Sequence, residues 1–385
     1  MEVGTDSRRY EVDWLRVIAF FILVFFHVAV LFLPDGVPSI SNRDSSPLLG
    51  LVASFFHQFR LSLLFLIAGI GVGFSIKYKG GSAYFKERSQ RLLIPLLFGF
   101  TVLVPPMIYY EKLYNGLFAG SFWHFYPKFY TDGVYPAGNL SWHHFWFIAY
   151  LYIMCVMSWP VFQYLKQQGK AVLDSVTAAL SSRFGLYLVV VPLIAIEILL
   201  RPQFPGVRDL LQDWASFTHW WLIFLIGFCI ANHVSLLDRC KDLRLFSLGV
   251  GIISASLLYV LFYDMDGYRF QLEYDLSGDN AVRFTIFSVL RMCMVWAWVL
   301  TLVGFAVHYL NRPSRLLHYL NGATYPLYCL HLTITVILAY YIMPTQLNVA
   351  VKLITITLGT YLLVFMLYEL CIRRVAWLRP LFGGK

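Results

Sequence analysis

The stretch DWLRVIAFFILVFFHVAVLF, residues 13–32, decides the fold class. Apart from Asp13, Arg16 and His27 it is apolar, and about 20 helical residues are what a hydrocarbon core of roughly 30 Å requires. No small-residue cleavage site follows the run from Val17 to Leu33, and more apolar runs come after it, so it is expected to remain as an uncleaved first span.

Similar runs recur along all 385 residues, of which 59% are hydrophobic, 18% aromatic and 13% charged, with a mean hydropathy of +0.66. That balance excludes a water-soluble globule. It predicts an all-α polytopic membrane bundle of about ten transmembrane helices, near 14–34, 53–76, 92–111, 145–165, 186–200, 215–234, 245–263, 282–308, 321–343 and 349–372. With a cytoplasmic N-terminus, nineteen Lys and Arg fall in inner segments, against six outside: Arg43, Lys112, Lys128, Arg201, Arg208 and Arg269. The positive-inside rule then places both N- and C-termini in the cytoplasm and makes the chain a multi-pass protein of the cell inner membrane. The net charge of +9 is accordingly topological, directed at membrane lipids and anionic cofactors and not at nucleic acid.

The six cysteines show no close pairing or zinc-type spacing and read as packing residues, and no metal site is expected. Two outer segments stand apart. Residues 111–144 are crowded with rings, and residues 264–280 carry Asp264, Asp266, Glu273, Asp275 and Asp279. They read either as an interface belt with a solvated loop or as surfaces that grip a sugar by stacking and hydrogen bonding.

Ionisable groups inside a span cost at least about 2.5 kcal/mol at mid-bilayer, so each is a functional candidate. Arg16 and His27 are eleven residues apart, which puts them on one helix face about 16 Å apart. A neutral imidazole suits general acid–base chemistry, and an arginine three turns below suits an anionic cofactor head. The plainer alternatives are a helix–helix hydrogen bond for His27 and a snorkelling Arg16. In SFFHQFRLSLLFLIAGIGVGFS, residues 54–75, His57 and Arg60 share a face, and the glycines allow close helix packing. A basic inner loop follows, YFKERSQRLLIP, residues 84–95, whose Arg88 and Arg91 suit a phosphate if the segment is helical. His144 and Trp146 enter the fourth helix beside His143, Arg283 and Arg291 lie in the eighth, and Tyr325, Tyr328 and His331 stripe the ninth. Glu197 and Glu369 are the principal carboxylates near spans. Together these groups imply a polar interior cavity.

The set resembles the type 3 membrane acyltransferase family. The resemblance covers nearly the whole chain and rests on Arg16 with His27, on Arg88 with Arg91, on HFWFIAYL at 144–151 and on YPLYCLH at 325–331. It implies an O-acyltransferase in which Arg16, Arg88 and Arg91 hold cytoplasmic acyl-coenzyme A, acetyl or succinyl, as a donor substrate with no permanently bound cofactor. His27 would be the general base, and His57, Arg60, His144, Trp146, Tyr325 and His331 would support or bind a glycan acceptor. The tail WLRPLFGGK resembles the family's glucan-biosynthesis branch, associated with succinylation of periplasmic glucans. Many relatives carry a further extracytoplasmic domain, whereas a single membrane domain over 1–385 is expected here, acting alone, as a homo-oligomer or with a separate periplasmic partner. A proton-coupled transporter or exporter of a glycan or small molecule is the competing reading.

Overall fold

The computed structural model describes residues 9–33, 40, 46–76, 80–206, 208–265, 269–271, 274 and 276–384. Arg8, Arg43, Lys77, Lys79, Asp266, Glu273, Asp275, Lys385 and the side chain of Arg269, all used in the charge and loop readings, lie outside the described residues.

Helices α1 (Tyr10–Val30), α2 (Pro47–Ile76) and α3 (Gly81–Tyr114) lead into a short helix, α4 (Phe122–Thr131), and then α5 (His143–Lys166). α6 (Lys170–Ser181) and α7 (Gly185–Leu200) meet at 113°. α8 (Trp214–Asn232), α9 (Ser235–Phe262), α10 (Gly278–Tyr309), α11 (Arg315–Ile342) and α12 (Val349–Ile372) complete the bundle, and a 3₁₀ turn, α13 (Ala376–Phe382), closes it. Among the described residues nine helices are long and apolar enough to span a membrane, and the bent α6–α7 pair makes a tenth if counted as one span, in line with the sequence reading. The described part of the acidic segment holds a two-residue antiparallel pairing, β1 (Tyr263–Asp264) with β2 (Arg269–Phe270).

α2 and α8 are the most enclosed spans, with 78% and 72% of their apolar windows buried, whereas those of α9 and α12 are only 28% and 22% buried and leave apolar surface on the outside of the bundle. α2 and α8 approach backbone to backbone: a Cβ on Gly69 would collide with the carbonyl of Phe224, and one on Gly227 with that of Leu66. The expected packing role of Gly69 is thus met by a helix contact that only glycine permits. Gly71 differs, because a Cβ there would meet nothing closer than the Arg16 guanidinium at 3.7 Å.

The segment 84–95 is not a loop. It forms the first turns of α3, which widens into π turns at Ser89–Leu93 and Gly99–Leu103. Each widening lies just before prolines, Pro95 and the Pro105–Pro106 pair, which lack the N–H that would close the preceding turn. The carbonyls so exposed find other donors: Tyr126 donates to Thr101 O at 3.0 Å, and Thr333 to Leu103 O at 2.8 Å. Of the rings of 111–144, Phe125 and Phe129 on α4 are buried, whereas Trp123 and Tyr130 on the same helix are exposed.

Candidate functional site

His27 is half-buried near the C-terminal end of α1, and His331 is buried in α11. The His27 Nδ1 lies 2.9 Å from Leu23 O, and the His331 Nδ1 lies 2.7 Å from Tyr328 O. A carbonyl only accepts, so each Nδ1 carries its proton and each neutral ring keeps its lone pair on Nε2. The His331 Nε2 then accepts from the same His27 Nδ1–H at 3.2 Å. The His27 ring is held from two sides by one nitrogen, and its other nitrogen is left basic. His144 extends the row, its ring centroid 5.1 Å from that of His331 and its Nε2–H donating to Cys329 O at 3.2 Å. Tyr328 donates in turn to the His144 carbonyl.

His27 and His144 line a cavity of about 620 Å³ at the end of the bundle opposite the N-terminus, together with Arg60, Glu111, Trp146 and Arg208. Several polar atoms of these walls are buried without a hydrogen-bond partner among the described residues: Arg60 Nε and Nη1, Glu111 Oε2, His143 Nε2, His144 Nδ1 and Arg208 Nε. Unsatisfied buried groups are rare in folded proteins, and these six atoms on one cavity wall are donors and acceptors that water or a ligand can meet. Backbone strain concentrates here too. His143 at φ 40° and Arg208 at φ 67°, the non-glycine residues with positive φ among those described, both line the cavity. Burial lowers the proton affinity of the Arg208 guanidinium, with Asp213 opposing, and pushes the Tyr135 hydroxyl up beside Glu111.

The sequence-derived candidates divide into two groups. His27, Arg60, His144 and Trp146 meet at this cavity, and His331 backs His27. His57 stacks on Phe26 at 5.5 Å between centroids, next to the cavity wall. Of the rings in 111–144, Tyr135 and Trp142 reach the cavity, while Trp123 is 78% exposed. Arg16, Arg88 and Arg91 lie towards the opposite end. Arg16 bonds Asp13 at 3.3 Å and Asn321 at 3.2 Å. Arg88 bonds Ser75 at 2.9 Å and Glu87 at 3.1 Å, and Arg91 lies 3.5 Å from Glu87. Tyr325 belongs with this second group, since its ring packs on Gly383 beside the Arg91 carbonyl and does not line the cavity.

Glu197 serves elsewhere. It is 1% exposed and clamped by Arg201 at 3.2 Å and Arg291 at 2.6 Å, an ion network tying α7 to α10. Residues that the sequence reading passed over include Glu111, held by the Tyr135 hydroxyl at 3.0 Å, and Arg208. Glu111 ends an apolar run and Arg208 sits in a connection, so neither carries a periodic signal.

The profile of a family described as acyltransferase domain matches residues 9–369. Among curated proteins, glucans biosynthesis protein C from Salmonella typhimurium (strain LT2) is 23% identical over 399 residues, covering 98% of this chain and 95% of the relative. The protein of the same name from Salmonella typhi matches to the same extent, at 23% identity over 399 residues. No solved structure matches.

Proposed function

The chain belongs to this acyltransferase family and is a multi-pass membrane protein, and from that premise we propose that it moves an acyl group from cytoplasmic acyl-coenzyme A to a hydroxyl of an extracytoplasmic glycan. The observation that carries this reading is the fixed tautomer of His27, whose Nδ1 is engaged by Leu23 and His331 and whose basic Nε2 belongs to a cavity-lining ring. The His27 Nε2 takes the proton from an acceptor hydroxyl as its oxygen attacks the thioester carbonyl. The C–S bond breaks, and the departing thiolate receives the proton back from the imidazolium. His331 Nε2 and the Leu23 carbonyl accept from the imidazolium Nδ1–H and hold its orientation through both steps.

Arg16, Arg88 and Arg91 suit the donor's phosphates. Arginine matches phosphate oxygens with charge-assisted hydrogen bonds, and α1 carries the distance from Arg16 to His27 in about three turns, about 16 Å. The N-terminal end of the bundle is then cytoplasmic, the cavity opens outward, and the membrane is the inner one. Similarity to the glucans biosynthesis proteins favours a glucan as acceptor. In inside-out vesicles loaded with a β-glucan in the lumen and supplied with acyl-labelled coenzyme A in the medium, label should reach the glucan with the natural chain and not with His27→Gln. Equal transfer by both would remove His27 as the base.

A further inference from the structure

Arg60 is 3% exposed, deep in α2, with Nε and Nη1 unpartnered among the described residues, and it lines the cavity. Its guanidinium carbon stands 3.3 Å from the ring centroid of Phe26, the residue before His27. No carboxylate is within ion-pair distance of it among the described residues. Of the acids that share the cavity, Glu111 accepts on Oε1 from the Tyr135 hydroxyl at 3.0 Å while its Oε2 stays unpartnered among the described residues, and Asp209 Oδ1 accepts from the Leu211 N–H at 3.0 Å. The other cation in the walls, Arg208, repels Arg60 and does not neutralise it. One aromatic face compensates a buried cation only in part, because desolvation of the ion outweighs an isolated cation–π contact. A guanidinium so placed is completed by a bidentate anion.

We infer that Arg60 receives an anionic group, a carboxylate or a phosphate, that the substrate carries into the cavity beside His27. This rests on acyl transfer taking place at His27, and it adds the charge of the substrate. Two sources share the chemistry: the far carboxylate of a dicarboxylic acyl chain, or a phosphate substituent on the acceptor glycan. Among the described residues, either would displace no partner of the Arg60 Nε and Nη1 and would use donors that are otherwise idle.

The test uses the detergent-solubilised full chain and Arg60→Met, which keeps the apolar stem and removes the charge. Thermal unfolding is followed with and without free succinate and with and without inorganic phosphate. The natural chain should be stabilised by at least one anion. Arg60→Met should lose that response and, without anion, melt no lower than the natural chain, as expected when an unpaired buried charge is removed. Transfer assays then identify the source. If the acyl chain bears the anion, the preference for succinyl- over butyryl-coenzyme A in kcat/KM falls about 10- to 100-fold in Arg60→Met. If the acceptor bears it, the same fall appears between phosphate-bearing and unsubstituted glucan. An equal anion response in both proteins, no response in either, or a lower melting point of the ligand-free variant overturns the assignment. An anion response that depends on Arg60, combined with no transfer from any acyl-coenzyme A, overturns the acyltransfer reading and leaves the anion site standing.

Discussion

The His331 Nε2 lies 3.2 Å from the His27 Nδ1, joining residues 304 positions apart. This contact fixes which His27 nitrogen is basic, because that Nδ1 must be the donor to both Leu23 and His331. Replacing His27 by Gln removes the base and should lower kcat about 10²- to 10⁴-fold, the usual worth of a positioned acid–base group. Steady-state transfer of labelled acyl groups reads it.

His331 is a positioning residue, acting through His27. His331→Leu keeps the volume roughly and removes the acceptor for the imidazolium N–H. It should cost about 10- to 100-fold in kcat, the worth of one hydrogen bond to a charged group, with KM for the donor little changed. The acidic limb of the pH–rate profile should also move down in pH, since an imidazolium without that acceptor gives up its proton more readily and the neutral base persists to lower pH. A variant that loses KM and kcat together with an unmoved pH profile would indicate a packing role only.

Arg88→Ala and Arg91→Ala should raise KM for acyl-coenzyme A about tenfold or more with a smaller effect on kcat, as expected when binding is lost without loss of the base. Both residues share Glu87, so the double variant is expected to show less than the sum of the two effects. Saturation curves at fixed glucan concentration measure this.

Glu197→Gln leaves Arg201 and Arg291 facing each other without their carboxylate. Breaking a buried pair in this way costs about 3–5 kcal/mol, and a marked drop in melting temperature of the solubilised protein is expected. Gly69→Ala should also destabilise, by about 1–3 kcal/mol, because its Cβ meets the Phe224 backbone, which cannot rotate aside as a side chain does.

The spans were legible because apolar length alone specifies a transmembrane helix, and the sequence pattern marked Arg16, His27, Arg60 and His331 as polar groups within apolar runs. The partnership of His27 with His331 was not legible, since nothing local records which face of α11 meets α1. Glu111 and Arg208 escaped for a related reason: they come from an element end and a connection, and tertiary folding alone brings them to the cavity that Tyr135, one of the rings of 111–144, also lines. The segment 84–95 looked like a loop because of its charge density, yet Glu87 pairs with Arg88 and Arg91 and allows the helix to start early. Tyr325 looked continuous with Tyr328 and His331 along one stripe, but the stripe runs from the cavity towards the basic end and its first member meets the C-terminal turn.

The widened turns of α3 have a bearing on biogenesis. The Thr101 and Leu103 carbonyls are capped by Tyr126 and by Thr333, groups that leave the ribosome after α3, the second of them more than two hundred residues later. Hydrocarbon offers no substitute donor. The third span therefore settles into its final seat late, when α11 arrives, and a chain truncated before α11 should hold α3 in a looser, protease-accessible state even though its first spans are already inserted.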